Sequence, residues 1–160
     1  MQKGVIIGIA FYMILATSCK TVEFSESEMI LKKRNDMLFI TLQINDKKGL
    51  FLLDTGAGIS LIDYNQAKRY GFNIGSVANS GTITGVGGNN RLFTVYNIDV
   101  MYEHFERSSV KFYGSDFSGI NDVFDQNSIR ILGILGSDFL SANQATINYK
   151  TKKLMLSRRE

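Results

Sequence analysis

From Leu38 to Ile44, every second residue of the chain is a leucine or an isoleucine. This period of two predicts a β-strand that turns one face towards the core. The turn-forming residues Asn45–Gly49 follow, and Leu50–Leu53 is then apolar throughout, as expected of a strand that is buried on both faces. We therefore expect the core to be built around β-strands.

Short apolar and β-branched runs, separated by turn residues, recur along the rest of the chain. They predict strands at Thr82–Thr84, Arg91–Tyr102 and Val110–Tyr113, an apolar run at Ile129–Leu135, and a closing hairpin of Ile147–Tyr149 with Leu154–Leu156. Short helices are expected at Asp63–Tyr70 and Asp138–Asn143, whereas residues 114–128 have the composition of a loop. Many short strands with turns at this spacing predict a mostly-β fold, as a barrel or a sandwich.

Length and composition narrow the class of protein further. The 160 residues predict one domain of ordinary size, and 44% hydrophobic with 21% charged residues excludes wholesale disorder. A single cysteine excludes an intramolecular disulfide framework and a cysteine-based zinc site, and a single histidine, His104, excludes a histidine-rich metal site. The net charge is only +3 and most of the basic residues are scattered along the chain, so the composition gives no indication of nucleic-acid binding.

The amino terminus has the pattern of an export signal. Lys3 precedes the uncharged run Gly4–Ala16, which is too short to span a bilayer comfortably but suits the core of a signal peptide. The segment Leu15–Cys19 resembles a bacterial lipobox, in which cleavage precedes the cysteine and its thiol carries a diacylglycerol. The resemblance implies a signal peptide at residues 1–18. It also implies export to the bacterial cell envelope, with the protein lipid-anchored to a membrane through Cys19.

The same residues fit an ordinary secretory cleavage site, so a plain secretory signal with an incidental cysteine and an uncleaved anchor both stay open. Residues 19–35 begin with a polar stretch and predict a tether or a loosely ordered arm. The folded domain is therefore expected to occupy residues 36–160.

The strongest indication of chemistry is the carboxylate of Asp54, which directly follows the apolar run Leu50–Leu53. A buried charge is costly unless it is paired or protonated, and folds keep such an acid mainly where it has a function. Thr55 can hydrogen-bond nearby, and Gly56 lets the backbone approach the carboxylate closely. Considered alone, these three residues also fit an ordinary turn at the end of a strand.

In its context, Asp54-Thr55-Gly56-Ala57 resembles the active-site loop of aspartic proteases. The segment Ile134-Leu135-Gly136 resembles the apolar-apolar-glycine motif that leads, in that family, into a short helix beneath the loop. Residues 81–88 resemble the flap, a mobile hairpin over the substrate, with Gly85, Val86, Gly87 and Gly88 at its turn. The resemblance to the retropepsin-like superfamily covers residues 36–157. It implies a closed β-barrel or sandwich with a flap hairpin and one or two short helices.

A single Asp-Thr-Gly motif in so short a chain points to the retroviral-type arrangement, in which two identical chains each contribute one aspartate across a twofold axis. The resemblance thus implies a homodimeric aspartic endopeptidase with Asp54 as its catalytic residue and a peptide or protein as its substrate. Thr55, Gly56 and Ala57 would support the loop. The resemblance implies neither a metal nor an organic cofactor.

Two other functions stay open: a cell-envelope domain of the same fold that binds peptides without cleaving them, and a structural lipoprotein. Competing motifs have little support. The glycines at residues 85–88 lack the spacing of a phosphate-binding loop, and Asp116, Asp122 and Asp125 lack the spacing of a calcium loop.

Overall fold

The computed structural model describes residues 24–85, 88–102, 110–125 and 129–159, and most of the described chain is in β-strands. In chain order the strands are β1 (Phe24–Ile30), β2 (Lys32–Arg34), β3 (Met37–Ile44), β4 (Lys47–Leu53), β5 (Leu61–Asp63), β6 (Asn73–Gly85), β7 (Gly88–Tyr96), β8 (Val100–Met101), β9 (Tyr113–Ser115), β10 (Gly133–Leu135), β11 (Thr146–Asn148) and β12 (Lys153–Arg159). The helices are α1 (Ala67–Tyr70), α2 (Ser118–Asp125) and α3 (Ser137–Ala142), and a single 3₁₀ turn at Tyr64–Gln66 precedes α1. Over the same described ranges, no helix is long and apolar enough to cross a membrane.

The strands form two sheets. A terminal sheet has the order β1-β12-β11, and a larger sheet has the order β2-β3-β4-β10-β5-β9-β7-β6, with β8 also paired to β3. The expectation of a mostly-β fold with a few short helices is confirmed, but the expectation of a closed barrel is wrong. Within the described residues, the outer strands β2 and β6 do not pair with each other. The edge strand β2 has only three residues, all exposed, and offers no apolar face for closure.

The core consists of two apolar clusters. Alternate residues of β3, from Leu38 to Ile44, lie in the larger cluster, whereas Phe39 lies in the smaller one with Phe124 of α2. The period of two therefore assigns the faces of β3 correctly. In β4, Phe51 and Leu53 join the larger cluster, while Leu50 and Leu52 pack against the smaller one, as expected of a strand with apolar neighbours on both faces.

A tether was expected over residues 19–35, but the structure has two strands, β1 and β2, between residues 24 and 34. Strand β1 pairs with β12 along its full length, and Met29 and Leu31 are buried in the larger cluster. The backbone N–H of Leu31 also donates to Lys152 O at 2.8 Å. The domain boundary expected at residue 36 is therefore too late, because Phe24 is already part of a sheet. Residues 1–18 and Cys19 lie outside the described residues.

Both of the short helices that the sequence predicted are present. The predicted helix at Asp63–Tyr70 is present as the 3₁₀ turn and α1. The Asp63 carboxylate accepts from Asn65 N, and Gly71 ends α1 with a φ of 78°. Helix α3 lies within one residue of the predicted Asp138–Asn143.

The expectation of a loop over residues 114–128 is wrong, because α2 lies within that range. The side chain of Asn121 accepts from Ile131 N at 2.9 Å and donates to Ile131 O at 3.2 Å, and Phe124 is buried. These tertiary contacts override the weak helix propensity of a segment that contains glycine, serine, asparagine and aspartate. The predicted strand Arg91–Tyr102 is likewise interrupted at Asn97, where φ is 54°.

Asp63 is the most deeply buried carboxylate in the described residues, at 2% exposure. Burial raises the pKa of Asp63, and hydrogen bonds from the backbone of Asn65 and Phe117 only partly oppose this effect. The folded state therefore holds this proton to higher pH than the unfolded state does. Since the unfolded chain ionises first as the pH rises, Asp63 lowers the free energy of unfolding above that point.

We predict that Asp63→Asn becomes progressively more stabilising, relative to the wild type, as the pH rises from about 3 towards neutrality. Asparagine keeps the oxygen that accepts from Asn65 N but carries no charge. Urea unfolding at several pH values measures the difference. Asp63→Ala is the matched control, because it removes both the charge and the cap. A difference between asparagine variant and wild type that stays constant or shrinks with pH would contradict the prediction.

Candidate active site

Asp54 directly follows β4, an interior strand of the larger sheet. Strand β4 pairs antiparallel with β3 and parallel with β10, so that Leu53 has Leu38 on one side and Leu135 on the other. The backbone N–H of Asp54 donates to Leu135 O at 3.0 Å, which continues the β10 pairing by one residue. The side chain is half-buried at the carboxyl end of β4, so solvent can still reach the carboxylate.

The Asp54 loop folds back onto its own carboxylate. The N–H of Gly56 donates to Asp54 Oδ1 at 2.9 Å, and the N–H of Ala57 donates to Asp54 O at 3.2 Å. A Cβ at Gly56 would lie only 3.2 Å from Oδ1, so glycine permits this close approach. In the part of the chain that the structure describes, Asp54 Oδ2 has no hydrogen-bond donor. One oxygen is therefore fixed by the backbone and the other is available.

The Ile134-Leu135-Gly136 segment packs directly beneath this loop. A Cβ at Gly136 would lie 2.7 Å from the carbonyl of Ile59 and 2.8 Å from Ala57 O, so a larger residue would push the loop away from this segment. The N–H of Ser137 donates to Ala57 O at 2.7 Å and ties the start of α3 to the loop. The structure thus brings together the two motifs that are 80 residues apart in sequence.

Sequence analysis missed a hydrogen-bonded pair, Ser60 and Asp138, that joins the same two segments. The N–H and the Oγ of Ser60 donate to the two carboxylate oxygens of Asp138 at 2.9 Å and 2.7 Å. The Oγ of Ser60 also accepts from Gly136 N at 3.0 Å, and Asp138 Oδ1 accepts from Phe139 N at 2.7 Å. Ser60 is fully buried. A polar residue set between apolar Ile59 and Leu61 was the available signal.

An apolar surface lies beside the carboxylate. Leu52 precedes Asp54 by two residues, and Ala57 and Ile59 follow it; all three are partly buried and pack against the smaller core cluster. Ile120 of α2 packs against the same cluster. These side chains leave apolar area accessible near Asp54, where it can contact apolar groups of a bound chain.

The hairpin expected near residues 81–88 is present. Strands β6 and β7 pair up to Gly85 and Gly88, and β7 connects the hairpin to the sheet through its pairing with β9. Val86 and Gly87 fall outside the described residues, and the action of the hairpin as a flap stays a prediction. Thr55 is exposed in the single chain. Across the described ranges, no three histidine, cysteine, aspartate or glutamate side chains are grouped closely enough to hold a metal ion.

Comparison with known proteins places this geometry in a family. The family model described as "gag-polyprotein putative aspartyl protease" matches residues 40–142, which include the Asp54 loop, the hairpin and Asp138. A search of curated proteins finds no match.

Several solved structures share the fold. A retropepsin-like aspartic protease from Rickettsia conorii has 17% identity and a TM-score of 0.50, over 86% of this chain and 94% of that one. EIAV protease, solved in complex with the inhibitor HBY-793, has 23% identity and a TM-score of 0.51, over 73% and 97%. The retroviral protease-like domain of Ddi1 from Leishmania major has 21% identity and a TM-score of 0.52, over 75% and 87%. With a family match over more than half of its length and a retropepsin-like fold, the chain belongs to the gag-polyprotein aspartyl protease family.

Proposed function

We propose that the protein is an endopeptidase in which Asp54 residues of two identical chains activate a water molecule against a peptide bond. The observation that carries this proposal is the state of the Asp54 carboxylate. One oxygen accepts from Gly56 N just after the interior strand β4, and the other has no donor within the described residues. A fixed carboxylate with one available oxygen suits proton transfer at a bound water.

The proposal requires two chains because each has one Asp-Thr-Gly motif. An isologous dimer places the same surface of both copies across a twofold axis, so each Asp54 would face its counterpart. Two carboxylates as close as this cannot both be ionised, so the pair shares one proton. The ionised partner takes a proton from water, whose oxygen attacks the peptide carbonyl carbon. The protonated partner polarises the carbonyl oxygen, and a proton then passes to the leaving nitrogen.

The surroundings of Asp54 favour an extended peptide as the substrate. The partly buried Leu52, Ala57 and Ile59 give the floor near the carboxylate an apolar character. The β6–β7 hairpin could cover such a peptide from the other side, as strand-like recognition requires. The intact Asp54 loop favours hydrolysis over simple peptide binding, since a binding domain has no need of a half-buried acid in a preformed loop.

For the cellular location, we propose export and attachment to a membrane of the cell envelope through lipidated Cys19. The support is the uncharged run Gly4–Ala16 and the position of the only cysteine directly after small residues. A tethered chain also has a raised local concentration, which favours pairing of two copies.

We predict that Asp54→Asn lowers kcat/KM by at least about 10²-fold, because an amide cannot take a proton from water. The thermal unfolding midpoint should change little, since Asn keeps an oxygen that accepts from Gly56 N. A peptide-library digest, followed by kinetics on one selected peptide, provides the measurement. Asp122→Asn, on the exposed side of α2, is the matched control and should keep full activity. Full activity in the Asp54 variant would exclude an aspartic mechanism. Retained peptide binding with no cleavage in the wild type would favour the binding domain.

Specific activity should rise with protein concentration, because a monomer contains only half of the proposed site. The assay is run over a dilution series in which sedimentation velocity follows the conversion of monomer to dimer. Activity per chain is expected to follow the dimer fraction. Constant specific activity across that conversion would show that one chain suffices.

Asp138→Ala should lower both stability and kcat, because it leaves buried donors of Ser60 without an acceptor and loosens the loop. An unsatisfied buried donor costs about 1–3 kcal/mol, and a displacement of about 1 Å at a catalytic group can cost about 10²-fold in rate. Asp138→Asn keeps one acceptor oxygen and should recover part of both losses. Thermal unfolding and kcat are measured for the two variants. An alanine variant with wild-type kcat would show that the pair does not position Asp54.

Cys19→Ser should release the protein from membranes or block its maturation, because serine offers no thiol for the lipid. Membrane fractionation and metabolic labelling with a fatty acid test this in a bacterial host. If the wild-type chain takes up no label, the proposed anchor is wrong.

A further inference from the structure

The terminal sheet has one face in the core and one face in solvent. Met29 of β1 and Leu154 and Leu156 of β12 point inwards and are buried. The residues that alternate with them share the opposite side, which we call the outer face; in the paired register these positions include Glu26, Glu28, Ile30, Lys153, Met155, Ser157, Thr146 and Asn148.

The outer face carries exposed apolar side chains. Ile30 is 74% exposed and Met155 is 37% exposed; Ile30 is the diagonal neighbour of Met155 across β1 and β12. Tyr149, which is 64% exposed, begins the turn after β11 at the same end of the sheet. Ile30 and Met155 therefore form an exposed apolar pair on the outer face, and Tyr149 adds a third exposed apolar side chain at the adjoining turn. We call these three residues the patch.

Cations surround one end of this patch. Lys32 follows Leu31, whose N–H donates to Lys152 O, so Lys32 lies beside the turn that contains Lys150 and Lys152. These three lysines are exposed and, among the described residues, have no carboxylate partner. The carboxylates that do lie nearby are already paired: Glu28 with Lys153 and Asp36 with Lys33, each at 2.7 Å. Among the residues that the structure describes, the positive charge of these three lysines is therefore not neutralised.

We propose that the outer face of the terminal sheet docks onto the surface of an anionic lipid bilayer. Ile30, Met155 and Tyr149 would enter the boundary between headgroups and acyl chains, and Lys32, Lys150 and Lys152 would contact lipid phosphates. An exposed apolar patch with unpaired lysines at its rim matches such a surface in both respects. A neutral or basic protein partner would leave the lysines uncompensated.

The position of the proposed anchor supports a bilayer as the occupant. Phe24 begins β1 only five residues after Cys19, a distance that an extended chain covers in at most about 18 Å. A lipid on Cys19 would therefore hold β1 close to the bilayer. The inner face packs onto the cluster that contains Leu53 and Leu135, the residues before Asp54 and Gly136. Docking of the outer face would thus leave the Asp54 loop directed away from the lipid. The inference does not depend on peptidase activity.

The chain has no tryptophan, so Tyr149→Trp introduces a single fluorescent reporter at the patch. The full-length variant is incorporated into two kinds of vesicle. One consists of phosphatidylcholine alone, and in the other about one third of the lipid is phosphatidylglycerol. We expect a blue shift of the tryptophan emission only with the anionic vesicles, reversed by 1 M salt, at which the screening length is about 3 Å. Tyr96→Trp is the matched control, since Tyr96 is exposed on the distant strand β7 and should show no shift.

Replacement of Lys32, Lys150 and Lys152 by glutamine, in the Tyr149→Trp chain, tests the cations. Each lysine near an anionic surface raises the docking equilibrium constant about fivefold, so the triple variant should dock on the order of 100-fold more weakly. Its emission shift with anionic vesicles should then disappear. Both vesicle types hold the same amino-terminal segment, so a missing lipid anchor affects both and leaves the comparison valid. Equal emission in the two vesicle types, or a shift that survives the triple substitution, would overturn the proposal. A concentration-dependent shift without vesicles would also overturn it, since a second copy would then cover the face.

Discussion

The contact between Gly136 and the Asp54 loop is the constraint on which the rest of the site depends. No side chain fits between Gly136 and the carbonyls of Ala57 and Ile59, so the loop rests directly on the backbone of a distant segment. Ser60 and Asp138 add hydrogen bonds from buried groups to the same junction. Packing and hydrogen bonds thus hold the residues that follow Asp54 in place, while Gly56 N within the loop fixes one oxygen of the Asp54 carboxylate.

The residues on both sides of this junction could be predicted from the sequence. Asp54 stood out because an acid after an uninterrupted apolar strand is physically expensive, although an ordinary turn fitted the same residues. Gly136 was predicted only through the resemblance of Ile134-Leu135-Gly136 to the aspartic protease motif. The pairing of Ser60 with Asp138 was not predictable, because a serine and an aspartate 78 residues apart have no local signal that they meet.

The errors in the predicted fold have the same origin. Helix α2 depends on Asn121 contacts with Ile131, and β1 depends on the whole length of β12, so neither is visible in its own segment. The polar residues around them, such as Glu28 and Lys32, also hide the buried pair Met29 and Leu31. Strand alternation in β3, by contrast, is a local property of one face and was assigned correctly. Closure of the larger sheet would require its outer strands, β2 and β6, to pair, and the sequence of neither strand shows whether they do.

The parallel pairing of β4 with β10 has a consequence for the order in which the chain folds. Strands β3 and β4 form a local hairpin and can pair early, but Leu135 joins Leu53 only after more than 80 residues have been brought into place. Non-local pairing of this kind is slow, because the entropy of loop closure is lost before the contacts form. The Asp54 loop lacks its support until then. A chain whose synthesis has not yet reached β10 would therefore carry the Asp-Thr-Gly motif without the backbone support of Gly136, which delays the assembly of this loop to a late stage of folding.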